Sequence, residues 1–208
     1  MSKSKKPADH LGPDLPPEDD IPHLTGPMVM PADGSKPEQI VLMLHGVGAD
    51  GDDLINLATY FGRVLPKAVF IAPNAPFRFD GAPSGFQWFS ITDPSKEQKL
   101  EGVKMAAPIL NALINHLLAE FELDESKMAI VGFSQGTMMG LHVGLRRVKP
   151  LAGIIGYSGA LVGGELLADE IKTKPPVLHV ACAETPSFAE LVELIVEARG
   201  LDRPPKLD

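Results

Sequence analysis

Five residues, Gly132-Phe133-Ser134-Gln135-Gly136, combine the types and the spacing needed for nucleophilic chemistry. In Gly-x-Ser-x-Gly the serine hydroxyl sits at the apex of a sharp strand-to-helix turn, and glycine at both flanks lets neighbouring backbone pass where a Cβ would collide. Residues 127–131 have the length and apolar content of a strand buried on both faces. Residues 135–148 read as helix, with Gly136, Gly140 and Gly144 recurring every four positions on one face suited to close approach to a sheet. The start of that helix aims free backbone N–H groups at Ser134, where an anion would be stabilised by those donors and by the helix dipole. A serine that only caps the helix is the plainer alternative. Gly156-Tyr157-Ser158-Gly159 also follows an apolar run, but its second glycine comes one position early, so Ser158 is the weaker nucleophile.

A second turn, Gly46-Val47-Gly48-Ala49-Asp50-Gly51, follows an apolar strand at 39–45 and precedes a helix expected from Asp52 or Asp53 to about residue 65. Its glycines match G-x-G-x-x-G, the setting of a dinucleotide site. The acid that such a site needs about 20 residues on is missing, since the chain there reads Val69-Phe70-Ile71-Ala72-Pro73-Asn74. The same turn serves better as half of an oxyanion hole, with the Val47 N–H and the Gln135 N–H donating to one carbonyl oxygen. His45 precedes the serine in chain order and is read as a brace for this loop rather than a proton carrier.

The elements that must position these turns alternate along the chain. After the 39–45 strand and its helix come an apolar strand near 69–72, a helix over 100–121 that Pro108 should kink, the strand and helix around Ser134, and strands at 151–157 and 177–182. A short edge strand is expected within 25–30. This alternation predicts a parallel α/β sheet with helices on both faces. Residues 73–98 form a long excursion with Phe77, Phe79, Phe86, Phe89 and the only tryptophan, Trp88. Either these rings line an apolar acyl site beside the nucleophile, or they plug the excursion onto the core.

A length of 208 residues with 44% hydrophobic content fits one domain: a flexible leader over 1–24, a folded domain over 25–200 and a tail over 201–208. The formal net charge of −8 argues against nucleic acid or an anionic membrane as the main partner. The single cysteine, Cys182, forms no internal disulfide and suits a reducing compartment. The six histidines show no paired metal-ligand spacing, so neither a metal nor a cofactor is implied. With no secretory signal and no apolar stretch of 18 residues, a cytoplasmic location and no membrane insertion are expected.

The segment from Leu44-His45-Gly46 to Asp53-Leu54-Ile55, then Pro73-Asn74-Ala75-Pro76, Trp88-Phe89, Gly132-Phe133-Ser134-Gln135-Gly136 and Tyr157-Ser158-Gly159-Ala160-Leu161, occur in that order. Over about residues 25–180 this series resembles the carboxylesterase, lysophospholipase and acyl-protein thioesterase family of small α/β-hydrolases. The resemblance implies an α/β-hydrolase-like three-layer sandwich with a mostly parallel central sheet. It also implies Ser134 as nucleophile and Val47 and Gln135 as oxyanion donors, while Trp88, Phe89 and His45 are the candidate residues at the substrate. The substrates would be small-molecule carboxylic esters or thioesters of apolar acyl groups.

The chain departs from the family after the 177–182 strand, where a triad aspartate, a further strand, a Gly-His turn and a last helix are due. Counting forward places the acid at Thr185 and counting back from Pro186 places it at Cys182, with Glu184 between them as a conceivable acid. No histidine follows His179, which reads as a core residue of its strand. Residues 187–200 read instead as an amphipathic helix bearing Phe188, Leu191, Leu194, Ile195 and Ala198. The expectation is a serine esterase without the family's last strand and helix and with reduced turnover, the alternatives being a non-catalytic acyl- or ester-binding module and, less favoured, a nucleotide-binding protein using Gly46 to Gly51.

Overall fold

The computed structural model describes residues 24–180 of the 208. Their centre is a six-stranded sheet built from β1 (Met28–Val29), β2 (Gln39–Leu44), β3 (Ala68–Ile71), β6 (Met128–Phe133), β7 (Gly153–Tyr157) and β8 (Val177–Val180), in the order β1-β3-β2-β6-β7-β8. Every pairing is parallel except that of β1 with β3. A two-stranded antiparallel ladder, β4 (Phe77–Arg78) with β5 (Phe86–Gln87), closes the aromatic excursion on itself.

Alternate side chains of the apolar strands serve opposite faces, as a pleated strand requires. Ile40, Leu42 and Leu44 of β2 join one core with Trp88, Val103, Leu110, Ile114 and Met139, beneath α3 (Lys96–Glu120) and α4 (Gln135–Gly144). Val41 and Met43 join the other core with Phe61, Phe70 and Val131, beneath α1 (Gly51–Ile55) and α2 (Ala58–Phe61). The helices on both faces expected from the alternation are therefore present, around a sheet that is mostly parallel.

The chain leaves β2 for β3 on one side and later returns to pair β6 on the other side of β2. Loops that diverge in this way open a crevice at the carboxyl ends of the two strands. The Gly46 turn follows β2 and the Ser134 turn follows β6, so topology puts both at that crevice.

Several local expectations change. The helix expected over 52–65 is two short ones, because Leu57, Thr59 and Tyr60 donate to carbonyls three residues back, tightening the backbone between α1 and α2. Helix α3 starts before residue 100, since Ser95 Oγ accepts from the Gln98 N–H at 3.3 Å and caps it, and it runs on through Pro108. Helix α4 stops at Gly144, four residues short of the expected end. Glu184, Cys182, the amphipathic stretch at 187–200 and the leader up to His23 lie outside the described residues. Among the described residues no helix is long and apolar enough to cross a membrane.

Candidate active site

Ser134 follows directly on the last residue of β6 and has φ 51° and ψ −113°. A non-glycine residue held there carries about 1–3 kcal/mol of strain, which the surroundings must enforce. They do so with hydrogen bonds on both sides of the turn. The Ser134 N–H donates to Tyr157 O at 2.8 Å, and Thr137 Oγ1 lies 2.7 Å from Gly132 O and 2.9 Å from Tyr157 O. The flanking glycines meet the steric demand read from the motif. A Cβ on Gly136 would stand 1.9 Å from Leu44 O, and one on Gly132 would stand 2.5 Å from the Thr137 amide nitrogen.

The glycine turn after β2 abuts this elbow. A Cβ on Gly46 would lie 3.2 Å from Ser134 Cβ and 3.0 Å from the Phe133 ring. Gly48, at φ +80°, donates to Phe86 O at 2.8 Å, and the Phe86 N–H donates to Ala49 O at 2.9 Å, which ties the turn to β5. The backbone N–H groups of Val47 and Gln135 have no acceptor among the described residues.

Beneath the two turns lies a buried polar network. The fully buried His45 donates from Nδ1 to Gly46 O at 2.7 Å and accepts at Nε2 from the Ala75 N–H at 2.9 Å. Trp88 Nε1 donates to His45 O at 3.0 Å. The Gln135 side chain then clamps the aromatic pair: Oε1 accepts from the Trp88 N–H at 2.9 Å, and Nε2 donates to Phe89 O at 2.7 Å. Burial pulls the His45 pKa below its ordinary value, which keeps the ring neutral and this bonding pattern intact.

The sequence-derived site residues are therefore divided. Ser134, Val47 and Gln135 are brought together. Trp88 and Phe89, expected against substrate, are 0% and 1% exposed and belong to the core, so their rings plug the excursion rather than line a pocket. His45, also expected at the substrate, has both ring nitrogens engaged below the surface and acts as the brace that its chain position suggested. His179, expected in the core, is exposed on β8, the last strand of the described sheet, with Nε2 3.0 Å from Gly159 O. None of the four described imidazoles hydrogen-bonds Ser134 Oγ. Glu184 lies outside the described residues.

Phe133 was not singled out by sequence reasoning. It is 47% exposed beside Ser134, although it ends an apolar strand and reads as core by pattern alone. Its place at the carboxyl end of β6, beyond the cover of the helices, is the signal that pattern omits.

The Gly46–Gly51 turn is poorly suited to a pyrophosphate. Asp50 accepts from the N–H groups of Asp52 and Asp53 in a capping box, and both of those acids sit in the first turn of a five-residue helix. A phosphate there would meet three carboxylates where a binding loop offers open amides.

Residues 26–189 match the family model described as Phospholipase/Carboxylesterase. Acyl-protein thioesterase 1 of Schizosaccharomyces pombe is 34% identical over 127 residues, covering 58% of this chain and 55% of that protein. Acyl-protein thioesterase 1 of Emericella nidulans is 30% identical over 166 residues, covering 72% of this chain and 66% of that protein. The chain thus spans between half and two thirds of these relatives' length. The crystal structure of esterase PE8 superposes with a TM-score of 0.73 at 37% identity, covering 86% of each chain.

Proposed function

This chain belongs to the phospholipase/carboxylesterase family, and from that premise we propose that Ser134 is the nucleophile of a hydrolase for carboxylic esters or thioesters of apolar acyl groups. Ser134 Oγ bonds to the substrate carbonyl carbon as its hydroxyl proton passes to water, and the carbonyl electron pair moves onto oxygen, to which the Val47 and Gln135 N–H groups donate hydrogen bonds. Collapse of this intermediate breaks the bond to the alcohol or thiol, which leaves with a proton, and water then releases the acid from the acyl-enzyme. The observation that carries this reading is the strained Ser134 turn lying against Gly46, with two unengaged N–H groups on the flanking residues. The exposed Phe133 ring beside the serine favours an apolar acyl group.

Loss of a triad member costs on the order of 10⁴-fold in rate in serine hydrolases, and no described imidazole is bonded to Oγ. Slow hydrolysis of p-nitrophenyl butyrate that Ser134→Ala abolishes is the expected result. Hydrolysis that survives Ser134→Ala overturns the assignment. The same gap beside Oγ favours the alternative, a module that binds acyl groups or esters without cleaving them. A fluorophosphonate decides between the two: covalent labelling at Ser134 supports the hydrolase, whereas binding of an ester with no labelling supports the module.

A further inference from the structure

A cleft of about 440 Å³ is lined by Lys104 of α3, His142 of α4, Arg146 just beyond α4, and Asp169, Glu170 and Lys172 from α5 (Leu167–Glu170) and the chain after it. It lies apart from the Ser134 turn: His142 is eight residues further along, or about 12 Å down the helix axis at the rise of an α-helix. Neither Ser134 nor Val47 nor Gln135 lines it.

The charges around this cleft fall into two sets. Arg146 is committed to the protein, with Nε and Nη2 2.7 and 2.6 Å from Glu170 Oε2 and Nη1 donating to His142 O at 3.0 Å. Lys104, Lys172 and Asp169 have no ion-pair partner among the described residues. His142 is 4% exposed, and its Nδ1 has no hydrogen-bond partner among the described residues. Burial first, then the charge of Arg146 and, less, that of Lys104, against the opposing pull of Glu170 and of a hydrogen bond to the Val162 backbone, push its pKa down to about 4 and hold the ring neutral.

Two unpaired ammonium groups and one unpaired carboxylate face this cavity, so a complementary ligand carries an anionic group for the lysines and a hydrogen-bond donor for Asp169. A phosphoryl group carries close to two negative charges at neutral pH and presents oxygens to both lysines at once. Inorganic phosphate alone would leave most of a cavity this size empty, and cavities of this size fit organic ligands. Asp169 remains as an acceptor for a donor elsewhere on the same ligand. We infer that this cleft binds a phosphate monoester, its phosphoryl group between Lys104 and Lys172 and a hydroxyl of its organic part on Asp169.

Titration calorimetry of the full chain at pH 7 with glycerol 3-phosphate and, separately, with inorganic phosphate tests the inference. Both should bind saturably, glycerol 3-phosphate more tightly. The double substitution K104E/K172E should weaken both by more than about tenfold, and K104Q/K172Q should do so less strongly. Both lysines are exposed, so the fold should persist, which a thermal melt checks. Asp169→Ala, which removes both a negative charge and an acceptor, should tighten inorganic phosphate and narrow the margin by which glycerol 3-phosphate binds more tightly. An NMR titration of the His142 ring should show its pKa rise on saturation, because the bound phosphoryl group, still an anion at that acid pH, offsets the Arg146 and Lys104 charges. Absence of saturable binding by either compound, or binding indifferent to K104E/K172E, overturns the site. Equal affinity for the two compounds overturns the ester part and identifies a free-phosphate site.

Discussion

Ser134 is held at φ 51° by its neighbours, in a conformation that glycine adopts without penalty. Ser134→Gly should therefore raise stability by about 1 kcal/mol, read as a higher urea midpoint with unchanged slope, while removing all esterase activity. Ser134→Ala should remove activity without that gain, because alanine keeps the Cβ and so the strain. Gln135 makes the opposite trade. Its side chain satisfies the buried Trp88 N–H and Phe89 carbonyl, and Gln135→Ala leaves both without partners. The expected loss is about 1–3 kcal/mol in the same unfolding measurement, with a further fall in activity as the adjoining turns loosen. The sequence placed Gln135 at the site for its backbone N–H, whereas its clamp on Trp88 and Phe89, 47 and 46 residues away, depends on a fold that no local pattern encodes.

At the scale of the element, the strand–turn–helix unit was legible because its constraints are local. Apolar strand, Gly132, Ser134, Gly136 and the helix glycines each reflect how closely backbone must approach backbone. Gly136→Ala would put a methyl group 1.9 Å from Leu44 O, and no cooperative thermal transition is expected from that variant. Gly46→Ala is milder, since its methyl would meet Phe133 and Ser134 at 3.0 and 3.2 Å and those side chains can shift. It should fold with near-normal melting yet hydrolyse p-nitrophenyl butyrate several-fold more slowly, because the shift falls on the serine itself. The helix over 52–65 was less legible. Its apolar spacing supports a single helix, but three-residue turns around Asn56 and Leu57 divide it, and whether those turns form depends on packing against β2 and β3.

At the scale of the whole fold, the two buried histidines among the described residues set the acid side of the stability profile. His45 and His142 both have pKa values below the ordinary imidazole value, with burial as the main cause and His142 at about 4. In the unfolded chain each takes up a proton near pH 6.5, which the folded protein refuses. The unfolded state therefore binds more protons as pH falls, so stability declines from about pH 6.5 toward pH 4. His142 alone accounts for a decline on the order of 3 kcal/mol over that window. Carboxylates such as Asp33, bonded by Lys67, and Asp124, bonded by Ser126, lie below their usual range and add their loss only under more acid conditions. Urea unfolding at pH 7 and pH 4.5 should show the drop, and His142→Gln should reduce it. Composition and periodicity by themselves determined the α/β class, the serine turn and the facing glycine turn, because each rests on strand length, helix period or the space a Cβ occupies, all properties of a few adjacent residues. Only the tertiary structure decided that Trp88 and Phe89 are core, that the partners of His45 are Gly46 O and the Ala75 N–H, that Phe133 is exposed beside the serine, and that Lys104, His142 and Lys172 share a cleft. Burial and charge proximity are set by which distant segments the sheet order brings together, and that order is a property of the whole chain.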